Sequence, residues 1–156
     1  MRVPFFKQSK INQTFKDKFI KKLDSLFDGS SALVFGTYSH LLEKNFAEYV
    51  GASHAAFVSN GLDALILACE SVGLQPGDEV IVPNHTYIAT WLAPLRLGCK
   101  LVVAPVSENN LLLDMNQIKS LITDKTKIVM PVHLYGNSCD IEYLVDLQKQ
   151  FPFKII

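Results

Sequence analysis

Short apolar runs alternating with helical patterns predict an α/β fold, a mainly parallel sheet with helices on both faces. Three observations carry this. The runs Glu79–Val82, Leu101–Val106, Lys127–Val132 and Phe153–Ile156 are mostly apolar throughout instead of at every second residue, the texture of strands covered on both sides. Helical patterns at about 61–73, 86–97, 114–122 and 140–150 fall before and between them. A hydrophobic content of 49% over 156 residues is enough for one such core.

Taken in order, the chain opens with a helical segment, residues 1–50. Phe15, Phe19, Leu23, Leu26 and Phe27 recur mostly four apart among lysines, which predicts one amphipathic helix from Asn12 to Asp28, stopped by Gly29-Ser30-Ser31. A second helix is expected from about Ser39 to Val50, with Leu42, Phe46 and Tyr49 on one face and Gly51 as its stop. The α/β part, residues 51–156, starts with a predicted strand at Ala55–Val58, then the helix face Leu62, Leu65, Ile66, Cys69 and Val72. Pro76-Gly77-Asp78 is a turn before the next strand. No internal repeat, low-complexity segment or linker interrupts this part. The sequence stops inside Phe153-Lys154-Ile155-Ile156, which reads as the opening of a buried strand, so an incomplete domain is expected.

Charge narrows the function classes. Fifteen basic and 15 acidic side chains cancel, leaving no field for nucleic acid or anionic lipid. Cys69, Cys99 and Cys139 form no CxxC pair, and His40, His54, His85 and His133 never stand at i, i+4. Neither a metal site nor a disulfide framework is expected, and three reduced cysteines suit a cytosol. Met1–Lys7 has no sustained apolar stretch like a signal peptide, and no run is long enough to span a bilayer. A cytoplasmic protein is expected.

Three stretches hold candidate chemistry. In Val58-Ser59-Asn60-Gly61-Leu62-Asp63 a strand gives way to a helix, with Asn60 as N-cap and Gly61 allowing close backbone approach. Free amides and the helix dipole would make this a phosphate seat, although an ordinary capped helix fits the same residues. In Pro83-Asn84-His85-Thr86-Tyr87-Ile88-Ala89-Thr90-Trp91, Thr86 is positioned to cap a helix, and Tyr87 to cover a flat ring beyond the strand's carboxyl end. Tyr87 and Trp91, four apart, equally suit one core-facing helix face. In Met130-Pro131-Val132-His133-Leu134-Tyr135-Gly136-Asn137, His133 would either touch a bound group or serve as a hydrogen-bonded core residue.

Together, Ser59–Leu65, Gly77–Pro83 and Pro131–Gly136 resemble the DegT/DnrJ/EryC1/StrS family of sugar aminotransferases, across nearly the whole chain from Val3-Pro4-Phe5. The versions Gly61-Leu62-Asp63 and Asn84–Thr90 are similar to the branch that aminates dTDP-linked 3-keto-6-deoxyhexoses. The resemblance implies the N-terminal part of the large domain of a fold-type I transferase using pyridoxal 5′-phosphate. It implies a nucleotide-linked keto-sugar as substrate, glutamate as amino donor, a homodimer, and a role in the amino-sugar biosynthesis that feeds lipopolysaccharide O-antigen. Asn60, Gly61 and Leu62 take the place of the cofactor's phosphate site. Many members have Thr where Leu62 stands, so a hydroxyl contact is missing. Tyr87 matches the aromatic that stacks on the cofactor ring, while Gly36 and Tyr38, with His85 and His133, fall where members approach substrate or the partner subunit.

The family's pyridinium-pairing Asp, its nearby Gln and the Schiff-base Lys have no counterpart in these residues, so the chain by itself is expected not to transaminate. Two alternatives stand beside the aminotransferase: a sugar dehydratase of the same superfamily, with His at the Schiff-base position, and a non-catalytic binding or assembly module.

Overall fold

The computed structural model describes residues 7–29, 32 and 36–156. Its contacts divide the chain into two units, one reaching to Phe57 and the other running from Val58 to Ile156.

In the first unit, helices α1 (Gln8–Gln13) and α2 (Lys16–Phe27) stand where one helix from Asn12 was expected. The break has a local cause. Thr14 Oγ1 donates to Ile11 O at 2.7 Å, and the Thr14 backbone N–H goes to the same carbonyl at 3.1 Å. A threonine that bonds its own backbone neighbours competes with the helical ladder. Gly29 follows α2 with φ 80, while Ser30, Ser31 and the Val3-Pro4-Phe5 start lie outside the described residues.

Helix α3 (Thr37–Val50) ends on Gly51 in the left-handed conformation, φ 72, with the Gly51 amide bonded back to Ala47 and Glu48 carbonyls. That is the αL stop the sequence predicts. Ser25 Oγ lies 2.9 Å from the Tyr38 hydroxyl, and Lys22 Nζ sits 4.8 Å from the centre of the Tyr38 ring. The stretch after α3 is tethered by the Phe57 N–H, which donates to Glu43 Oε1 at 3.0 Å. That bond, foremost, holds the Glu43 carboxyl below its ordinary value.

The second unit is a parallel four-stranded sheet in the order β2-β1-β3-β4. Its elements are α4 (Gly61–Ser71), β1 (Glu79–Pro83), α5 (Ala89–Arg96), β2 (Lys100–Ala104), α6 (Met115–Leu121), β3 (Thr126–Val129), α7 (Ile141–Gln148) and β4 (Lys154–Ile155). Side chains alternate across the sheet as the pleat demands. Ile81 and Val129 pack with Ile118, Leu144, Leu147 and Phe153 on the α6/α7 face. Val80, Val82 and Ile128 pack with Cys69, Leu65 and Trp91 on the α4/α5 face. Every β1 side chain is buried, whereas β2, at one end of the strand order, leaves Val103 45% exposed.

One predicted strand is corrected. Ala55–Val58 forms no strand, because a strand needs a ladder partner and the described residues offer none there. The predicted ends at Val106 and Val132 also run past the ladder, which stops at Ala104 and Val129.

Where β1 begins, buried Glu79 accepts from Lys100 Nζ at 2.9 Å and from Thr123 Oγ1 at 2.6 Å. The Thr123 bond, then the Lys100 bond, holds its carboxyl below the ordinary 4.5. Such a group stabilises the fold fully above 4.5, and the contribution disappears as pH falls through the lowered folded value. Glu79→Gln is therefore expected to lower stability at neutral pH and to flatten the loss of structure on acidification, followed by circular dichroism. An acid limb as steep as wild type's would contradict this.

Cys69, Cys99 and Cys139 are free and buried, and burial pushes each thiol up. Among the described residues no helix is long and apolar enough to cross a membrane, and no three metal-ligating side chains cluster.

Candidate functional site

In a parallel sheet all strands end at one edge, and ligands sit beyond it. β1 leaves that edge at Pro83 and β3 at Val129. The N-terminus of α4 reaches the same edge. The turn after α4 is fastened where β1 begins, by Gly77 N–H to Gly98 O at 2.9 Å and Lys100 N–H to Asp78 O at 2.8 Å. From there α4 runs back along the sheet for 11 residues, so its first turn lies at the strands' carboxyl ends.

The first turn of α4 is built by Asn60. Its backbone is extended, φ −163 and ψ 172, and its Oδ1 accepts the Asp63 N–H at 3.0 Å. This satisfies one of the helix's orphan donors. The Gly61 and Leu62 N–H groups have no partner among the described residues and lie at the positive end of the helix dipole. Asp63 would repel an anion, but its carboxylate accepts from Ser59 Oγ and, at 2.9 Å, from Asn60 Nδ2. A Cβ added at Gly61 would meet nothing within 4 Å, so ligand atoms can approach this backbone. Two open amides, a dipole and a cleared approach fit the phosphate monoester of pyridoxal phosphate. Leu62 is half-buried and adds only its amide.

Tyr87 follows β1 at this edge and is 77% exposed, its ring free to cover a flat ligand. Trp91 is structural instead: its Nε1–H donates to Pro83 O at 3.0 Å and its ring joins the α4/α5-face core. The expectation that Thr86 caps the following helix is corrected. The N-cap is Ile88 without a side-chain bond, and Thr86 Oγ1 pairs with Thr90 Oγ1 at 2.9 Å.

His133 is exposed, and its Nδ1 accepts the Cys139 N–H at 3.0 Å. That bond places the proton of the neutral ring on Nε2, which stays available as a donor. His85 is exposed too, with Nε2 3.3 Å from the Tyr135 hydroxyl. The sequence reading passed over Tyr135, for which the only signal is a bulky aromatic directly before Gly136 in a strand-end loop.

The structure thus brings Asn60, Gly61, Leu62, Tyr87, His85 and His133 to one edge of the second unit. Gly36 and Tyr38 belong to the first unit, and Phe35, the residue before Gly36, lies outside the described residues. Gly36 precedes α3, where a Cβ would run into the Ala32 carbonyl oxygen.

Comparison with known proteins fits this geometry. A model of the DegT/DnrJ/EryC1/StrS aminotransferase family matches residues 13–156. A dTDP-3-amino-3,6-dideoxy-alpha-D-galactopyranose transaminase from Aneurinibacillus thermoaerophilus is 35% identical over 154 residues, 99% of this chain and 42% of the relative. The crystal structure of DesV from S. venezuelae, in complex with a ketimine intermediate, superposes with a TM-score of 0.92 at 35% identity over 99% of this chain and 41% of that one. NtdA from Bacillus subtilis, with bound cofactor PMP, gives 0.89 at 28% identity over 99% of this chain and 35% of that one. The chain therefore spans about two fifths of the length of such relatives.

Proposed function

The chain belongs to the DegT/DnrJ/EryC1/StrS aminotransferase family, and from that premise we propose that it carries the cofactor-phosphate site of a pyridoxal-phosphate-dependent aminotransferase acting on a nucleotide-linked keto-sugar. The substrate class is a dTDP-linked 3-keto-6-deoxyhexose, as the similarity to a dTDP-amino-sugar transaminase suggests. The observation that carries the reading is the pair of open amides at Gly61 and Leu62, with the exposed Tyr87 ring at the same strand edge.

When bound, pyridoxal phosphate supplies the electron sink through which an amino group is moved. The chain's residues bind and orient. Gly61 and Leu62 N–H groups hold the phosphate, and Asn60 keeps that turn in register while drawing Asp63 aside. Tyr87 covers the ring and excludes water from it. His133 offers its Nε2 proton at the same edge. The reading includes glutamate as amino donor, homodimeric assembly and a cytoplasmic location, the last supported by three free, buried cysteines.

The cofactor part is tested at Tyr87. Tyr87→Ala is expected to weaken pyridoxal phosphate binding by about 1 kcal/mol, the scale of an aromatic stacking contact. Tyr87→Phe should be nearly neutral, because the face is used and not the hydroxyl. Fluorescence titration of the two variants decides it, and a Phe variant as weak as the Ala variant would replace stacking with a hydroxyl role.

A further inference from the structure

Tyr135 is one of two non-glycine residues with positive φ among the described residues, at φ 55. A bulky side chain in the left-handed region is strained, and such strain persists only where the surroundings enforce it. They do so here. Asn137 N–H donates to Leu134 O at 3.0 Å across the turn, whose second central residue, Gly136, has φ 82. The loop's base is locked by Cys139 N–H to His133 Nδ1 and by Cys139 Sγ to Val132 O at 3.3 Å.

Packing does not repay the strain, since Tyr135 is 72% exposed. What the turn does is stand the phenol beside His85, with hydroxyl to Nε2 at 3.3 Å and ring centroids 5.9 Å apart at 42°. The loops bearing the two residues leave adjacent paired strands, β1 and β3, at the edge that holds Gly61 and Tyr87.

The chemistry of the pair selects its ligand. A phenol and an imidazole each donate and accept, and their rings form an apolar wall. Neither loop, 84–88 or 130–139, contains a lysine or arginine, so the pair does not suit a diphosphate. A neutral, hydroxyl-bearing ring fits. We propose that Tyr135, held by His85, is a specificity-determining residue that hydrogen-bonds a hydroxyl of the hexose of the sugar nucleotide. The assignment rests on the substrate class proposed above.

Calorimetric binding of dTDP-glucose and of dTDP to wild type, Tyr135→Phe and Tyr135→Asn tests it. Tyr135→Phe keeps ring and backbone and removes one hydrogen bond, so affinity for dTDP-glucose is expected to fall about 5- to 10-fold, with dTDP affinity unchanged. Asparagine tolerates the left-handed region, so Tyr135→Asn should lose the same affinity while its melting midpoint rises by about 3 °C. Equal weakening of both ligands, no weakening, or a lower midpoint for Tyr135→Asn would overturn the assignment and leave the substrate class standing. A wild type that binds neither ligand would overturn the substrate class itself, and this assignment with it.

Discussion

Gly61→Pro is expected to preserve the fold while cutting affinity for pyridoxal phosphate by about 10- to 100-fold, the worth of one hydrogen bond to a charged group. Three facts make proline harmless to the helix. Gly61 is the first residue of α4, where a missing N–H breaks no helical bond. Asn60 before it is already extended, as a residue preceding proline must be. A Cβ at Gly61 meets nothing within 4 Å. The substitution therefore removes one amide donor from the phosphate seat and little else. Titration with pyridoxal phosphate, alongside a thermal melt, checks both halves. An intact melt with unchanged affinity would mean that the phosphate lies elsewhere.

The largest loss of stability is expected at Ile81→Ala, about 3 kcal/mol by urea unfolding. Ile81 is fully buried at the centre of β1, which pairs with both β2 and β3. Its side chain enters the core of Leu144, Leu147 and Phe153 beneath α6 and α7, and a cavity there is walled by a strand on each side. Val103→Ala on β2, where the side chain is 45% exposed, should cost well under half as much. Similar losses at the two positions would show that the α6/α7 face is not a packed core.

The parallel strands were legible because a sheet covered on both faces needs apolar residues on both, as Val80, Ile81 and Val82 supply. Ala55–Val58 has the same texture but no strand pairs with it among the described residues, and pairing is a non-local property that texture cannot report. The split of the first helix at Thr14 turned on a single hydroxyl bonding to Ile11 O, inside a pattern whose apolar period continues unbroken. At the site, Asn60 and Gly61 were readable because capping is local chemistry. The core place of Trp91 was readable from its helical spacing, whereas the role of Thr86 was not, since it depends on which atom lies within reach, the Thr90 hydroxyl. The His85–Tyr135 contact joins residues 50 apart, and the topology of β1 beside β3 brings them together.

The most direct test of the account is isotope transfer. A polypeptide that joins this chain to a segment bearing the pyridinium-pairing Asp and the Schiff-base Lys, supplied with pyridoxal phosphate, a dTDP-linked 3-keto-6-deoxyhexose and glutamate labelled with nitrogen-15 on its amino group, is followed by mass spectrometry of the sugar nucleotide. The account predicts that the polypeptide carrying this chain transfers the labelled nitrogen to the sugar, and that Gly61→Pro suppresses the transfer at limiting cofactor. A sugar that loses a hydroxyl without gaining nitrogen, or transfer that is indifferent to Gly61→Pro at every cofactor concentration, would contradict it.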